Sequence, residues 1–148
     1  MKPINEMKLQ LDSLSMNEGF ARVAVSAFAA LLDPTLEELN DIKTAVSEAV
    51  TNCIVHGYRD ERGKIYIRTR IFENQTIEVQ IRDKGRGIAD VEQAKQPLFT
   101  TLGGDRAGLG FSVMESFTDK MRVRSTVGKG TTVTLIKRIE GKNRAEQK

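Results

Sequence analysis

Two stretches of strict alternation dictate most of what this chain can become. From Lys64 to Phe72 the residues Ile65, Ile67, Thr69 and Ile71 fall on one side, and from Thr76 to Asp83 the residues Ile77, Val79 and Ile81 do the same. Period two marks a strand with one buried and one wetted face. Only Glu73-Asn74-Gln75 separates the runs, too short a link for a crossover, so they must form an antiparallel hairpin. Such a hairpin has an apolar face that a second layer has to cover.

The rest of the chain supplies that layer and more strands. Lys8 to Leu14 reads as a first strand. Ser15-Met16-Asn17-Glu18 has the Ser-x-x-Glu form of a capping box, and Phe20, Val23, Ala24, Ala27, Phe28, Leu31 and Leu32 follow at helical spacing until Asp33-Pro34. Thr35-Leu36-Glu37-Glu38 repeats the capping pattern and opens a longer helix to about His56, with Gly57 as its C-cap. A short helical piece is expected near Val91 to Lys95 and a helix from about Gly108 to Phe117. Final strands span Lys120 to Thr126 and Thr131 to Ile139. Strands mixed with three main helices, without strict alternation, predict an α+β fold: a two-layer sandwich with a mixed, mostly antiparallel sheet and helices on one face. No repeat or linker divides the chain, so residues 1–139 form one domain, and 140–148 are expected to be a basic, disordered tail. A chain of 148 residues with 39% apolar residues is long enough to bury a core without covalent staples.

Composition removes several classes of function. A single cysteine, Cys53, permits no intramolecular disulfide, and with one histidine, His56, there is no Cys/His zinc site. Cys53 lies in the apolar stripe of the second helix and reads as a small core residue, and His56 as a contact with that helix's C-terminal dipole. A reducing, cytoplasmic setting is expected. The first 17 residues carry no signal-peptide core, and no apolar run is long enough to cross a bilayer. The net charge of +3 owes much to the tail, and no element groups basic residues with stacking aromatics, so nucleic acid is not expected as a direct partner.

Three groups of residues carry chemistry. Glu48 and Asn52 are one helical turn apart on one polar face. There they hold a hydrated Mg2+, activate a hydroxyl, or simply meet solvent. Asp83 continues the inward phase of Ile77, Val79 and Ile81 and needs a donor if buried. The turn that follows it, with Gly85 and Gly87, allows a flat ligand with an exocyclic amino group, such as adenine, to approach; alternatively Asp83 only starts the turn. Gly103 to Gly110 precedes an apolar helix, as an anion cradle does, and Arg106 within it can bring its fork of donors to a terminal phosphate. It is neither a P-loop nor a dinucleotide fingerprint.

In order along the chain, Glu48-Ala49-Val50-Thr51-Asn52, Asp83-x-Gly85-x-Gly87, Gly108-Leu109-Gly110 and Gly128-Lys129-Gly130-Thr131 resemble the nucleotide-binding boxes of the GHKL ATPase superfamily, which unites gyrase, heat-shock chaperone, histidine kinase and MutL. The whole chain is similar to the small bacterial serine kinases that act as anti-sigma factors in sporulation. Glu48 to Tyr58 and Gln96-Pro97-Leu98-Phe99-Thr100-Thr101 carry that likeness most closely. The resemblance implies a Bergerat-type ATP-binding fold and ATP or ADP with Mg2+ as cofactors. It makes Glu48 the general base toward a substrate serine, Asn52 the Mg2+ ligand and Asp83 the reader of adenine. It sets Gly85 and Gly87 against the base, and Gly108, Leu109, Gly110 and Arg106 at the phosphates. Thr100 and Thr101 fall in a lid, and Thr131 supports the adenine end. It implies a homodimer that holds an RNA polymerase sigma factor of the sigma-F type and phosphorylates a serine of an anti-anti-sigma protein, with Arg22 on the first helix touching a partner. One departure is the Leu102 to Asp105 stretch, Leu-Gly-Gly-Asp, shorter and richer in glycine than the family pattern, which implies a more mobile lid.

Two other functions compete. A histidine kinase would need an acceptor histidine on an upstream helical hairpin, and His56 is not placed for that. A binding module that clasps its partner in response to nucleotide, without chemistry, would need Asn52 but not Glu48.

Overall fold

The computed structural model describes residues 1–59, 61–95 and 107–142, without the side chains of residues 107–109. Five strands, β1 (Pro3–Asp12), β2 (Lys64–Phe72), β3 (Thr76–Asp83), β4 (Lys120–Thr126) and β5 (Gly130–Arg138), form one sheet in the order β1-β2-β3-β5-β4. The central hairpin has the bounds its alternation predicts, with Ile67 opposite Ile81 and Thr69 opposite Val79. All four pairings are antiparallel, so the sheet is not mixed.

The helices cover one face of the sheet. Helix α1 (Met16–Ala29) buries Ala21, Val25 and Ala29, and α2 (Leu36–Asn52) buries Ile42, Ala45, Val46, Ala49 and Val50. These pack with Ile65, Ile67, Ile71, Ile77, Val79, Ile81, Val133 and Leu135 in one core. A four-residue helix α3 (Val91–Ala94) and helix α4 (Ala107–Ser116), which adds Phe111 and Met114 to the core, complete the layer. α2 runs between α1 and α4 and packs on both. None of the described helices is long and apolar enough to cross a membrane.

Four local expectations change. The first strand runs Pro3–Asp12, starting five residues before Lys8 and ending before Leu14. Ser15 has helical backbone angles and makes no capping bond; Glu18, its expected capping partner, turns to the Ser47 hydroxyl on α2 and to Arg22, 3.8 Å away. The box at Thr35 does form, with Glu38 N–H donating to Thr35 Oγ1 at 3.1 Å and Thr35 N–H to Glu38 Oε1 at 2.9 Å. α2 does not end in a glycine cap: beyond Asn52 it widens into a π-helical turn, Cys53–Gly57, closed by Tyr58 N–H on the Cys53 carbonyl at 3.0 Å. At the other end of the chain, residues 140–142, assigned to the tail by sequence, are tied down. Glu140 and Gly141 N–H donate to the Glu38 carboxylate at 2.7 and 3.1 Å, and Lys142 N–H to the Asp33 carbonyl at 2.9 Å.

Candidate functional site

Between α2, its π-helical turn, the end of the sheet and the segment leading to α3 lies a cavity of about 450 Å3. Ala49, Ile81, Ile88, Ala94, Phe111 and Val133 make it apolar, and the carboxylate of Asp83 lies at its floor. The alternation of β3 carries Asp83 to the buried face, 5% exposed, opposite Ile65 on one neighbour and Thr131 on the other. Burial pushes its carboxyl above the ordinary range, against hydrogen bonds from Gly85 N–H (2.9 Å), the Cys53 thiol and Thr131 N–H. The Cys53 thiol is in turn pushed well up by burial and by the Asp83 charge, so it stays protonated and donates.

Glycines make this packing possible. A methyl group on Gly57 would lie 2.9 Å from the Asp83 carboxylate, so the π-helical turn needs a residue without a side chain where it meets the acid. A Cβ on Gly85 would fall 2.1 Å from the Gly57 carbonyl oxygen. Gly87 has φ +76° and faces the Thr126 carbonyl, which would be 2.2 Å from a Cβ. The Thr131 hydroxyl lies 2.8 Å from Ser125 Oγ, which accepts the Ile88 N–H at 2.6 Å, locking β4 and β5 to the loop after Gly87.

Glu48 and Asn52 project from α2 toward the start of α4, where they converge on Gly110. A Cβ there would lie 3.1 Å from Asn52 Oδ1, 3.2 Å from its Nδ2 and 3.3 Å from Glu48 Oε2. Among the described residues Asn52 Nδ2 is buried without a hydrogen-bond partner. Gly108 and Leu109 belong to the first turn of α4. Arg106, Thr100 and Thr101 lie outside the described residues. Arg22 is on the exposed side of α1, away from the residues that line the cavity.

The apolar walls and the buried acceptor at the floor fit a flat base that presents an amino group, and the orphaned Asn52 amide and the space kept by Gly110 fit a polar continuation of that ligand. Among the described residues no cluster of three His, Cys, Asp or Glu side chains is arranged as a metal cage. Among the described residues, a cation beside Gly110 would have the oxygens of Asn52 and Glu48 with those of the ligand itself, a sparse protein set that suits Mg2+. Sequence reasoning brought forward Glu48, Asn52, Asp83 and the glycines, and missed the thiol on Asp83, the Ser125 link and the role of Gly57. The phase of β4, with Met121 and Val123 facing inward, was the available signal for Ser125.

Fold and site together define a nucleotide-binding domain of the histidine kinase type. The family described as "Histidine kinase-like ATPase domain" matches residues 15–137. Among solved structures, the RsbU and RsbW domains of Rv1364c from Mycobacterium tuberculosis superpose with a TM-score of 0.67 at 21% identity, over 93% of this chain and 33% of that one. The histidine kinase domain of a blue-light activated histidine kinase from Erythrobacter litoralis does so with 0.57 at 20% identity, over 83% of this chain and 61% of that one. At those identities the likeness is one of fold. Relatives in sequence are much nearer. The anti-sigma F factor of Caldanaerobacter subterraneus subsp. tengcongensis is 57% identical over 95% of this chain and 97% of its own length. That of Anoxybacillus flavithermus is 56% identical over 91% and 93%. The chain belongs to the anti-sigma F factor family, within the histidine kinase-like ATPases.

Proposed function

We propose that this chain is a cytoplasmic anti-sigma factor that binds a sporulation sigma factor of the sigma-F type and, using Mg-ATP, phosphorylates a serine of an anti-anti-sigma partner. The observation that carries the reading is the convergence of the Glu48 carboxylate and the Asn52 carboxamide on Gly110, beside the cavity with Asp83 at its floor. A pure nucleotide sensor needs the cavity and Asn52; a carboxylate one turn back along α2 is what a transferase adds.

In this reading Asp83 accepts the adenine amino group, with Thr131 behind it, and Gly85 and Gly87 let the backbone approach the base. Asn52 would hold Mg2+, which supplies charge neutralisation at the phosphates. Gly108, Leu109 and Gly110 offer N–H groups at the start of α4, and Arg106, with Thr100 and Thr101, is assigned to the phosphates and their cover. The Glu48 carboxylate takes the proton of the acceptor serine as its oxygen bonds to the terminal phosphorus and the bond to ADP breaks. Phosphoryl transfer asks little more of a protein than such positioning and charge. On α1, Met16, Phe20 and Val23 are exposed apolar side chains and Arg22 an exposed cation on a different side of the helix, so α1 offers both kinds of contact to a protein partner. A homodimer would present two such surfaces.

Glu48→Ala tests the assignment. ATP affinity should stay within about twofold while transfer to the partner's serine falls by about 100-fold or more, the scale of a lost general base. Undiminished phosphoserine formation, followed by mass spectrometry, would refute the role of Glu48. Nucleotide-dependent release of the partner without any phosphoserine in the wild type would instead favour the binding module.

A further inference from the structure

Arg86 stands between Gly85 and Gly87 at the mouth of the cavity and is held there at three points. Its backbone N–H donates to the Gly57 carbonyl at 3.0 Å, and its own carbonyl accepts Gly128 N–H at 2.7 Å. Its side-chain Nε donates to the His56 carbonyl at 2.8 Å. The residue is thereby tied to the π-helical turn on one lip and to the turn between β4 and β5 on the other. Its flanking glycines leave no room for the backbone to shift, since a Cβ on either would fall within 2.2 Å of a carbonyl oxygen.

The Nε–H bond lies in the guanidinium plane, so bonding it to a fixed carbonyl also limits how that plane turns. Four further N–H donors remain on the terminal nitrogens. The two carboxylates of the cavity are engaged elsewhere, Asp83 by Gly85 N–H and Asp90 by Gln93 N–H. A planar, weakly hydrated cation on an apolar rim is matched to a π-face or to the acceptor edge of a heterocycle. Its anchor also says which part of a nucleotide it meets. His56 lies beyond both Glu48 and Asn52, in the π-helical turn that follows α2, so Arg86 sits at the end of the site away from Gly110.

We propose that Arg86 is a further binding residue of the nucleotide site, its guanidinium covering the purine base at the cavity mouth and taking no part at the phosphates. This rests on the reading of the cavity as an adenine-nucleotide site. The test is calorimetric titration of the full chain and of its Arg86→Leu and Arg86→Lys variants with AMP, ADP and Mg-ATP. Arg86→Leu should bind all three about tenfold more weakly, by the same factor for each, and Arg86→Lys should recover little, because an ammonium has no plane to lay on a base. An unchanged affinity, a loss that grows with the number of phosphates, or full recovery by lysine would each overturn the proposal. If the wild-type chain binds none of the three, the nucleotide reading itself fails, an outcome distinct from wild-type binding that Arg86→Leu leaves intact.

Discussion

A carboxylate shut into a core costs stability unless its charge is fully matched, and Asp83 is matched only by neutral donors: two backbone N–H groups and the Cys53 thiol. Burial therefore wins, and its carboxyl titrates above the ordinary range. The sign of the consequence follows. Between the ordinary and the raised value the folded chain keeps the proton that the unfolded chain has lost, so stability falls as pH rises through that window and is flat above it. Asp83→Asn has no such proton to lose. Without nucleotide the variant should melt higher than the wild type at pH 7, and the gap should narrow as pH drops toward the ordinary aspartate range. Its affinity for adenine nucleotides should be at least about tenfold weaker, because an amide cannot accept at both of its atoms. Thermal melts across pH and calorimetry check the two halves. That Asp83 points inward was legible in the alternation of β3. That a thiol from another element would donate to it was not, because the phase of α2 places Cys53 in the core but says nothing of which strand end it meets.

At the scale of elements, the two capping signals show how far local pattern reaches. Ser15 to Glu18 and Thr35 to Glu38 have the same form, yet only the second closes, because Glu18 finds the Ser47 hydroxyl on the neighbouring helix. Glu38 has a second task, accepting the N–H groups of Glu140 and Gly141 and so fastening the chain after β5 to the start of α2. Burial raises its carboxyl, but the bonds from Thr35, Glu140 and Gly141 outweigh this and hold it below the ordinary range. Glu38→Ala keeps the backbone half of the capping box but removes the carboxylate half, leaving the Thr35, Glu140 and Gly141 N–H groups unmatched. We expect a loss of about 1–2 kcal/mol, seen as a melting point roughly 3–6 °C lower. The folded value is depressed, so the contribution is present above the ordinary glutamate range and lost as pH falls through the folded value. Wild type and variant should therefore converge in acid, which urea melts at pH 7 and pH 3 would register.

The cavity lies between the helices and the sheet, so a nucleotide bound in it should brace both layers. With Mg-ATP at about 100 times its Kd, stability should rise by about 2.7 kcal/mol, and Asp83→Asn should show little of that rise at the same concentration. Arg22→Glu, on the outer side of α1, should leave the nucleotide effect intact and weaken capture of the sigma factor by about tenfold or more, measured by surface binding with ATP present. By itself the sequence determined the central hairpin, the last two strands to within a residue, the inward turn of Asp83 and the shared face of Glu48 and Asn52. Each of these follows from side-chain periodicity within one element or from a turn of a few residues. Only the tertiary structure decided what those residues face: Gly110 against Glu48 and Asn52, Cys53 and Gly57 against Asp83, and Arg86 across the mouth of the cavity. Such contacts join residues distant in sequence, and they are fixed by how helices settle on a sheet, which no local repeat encodes.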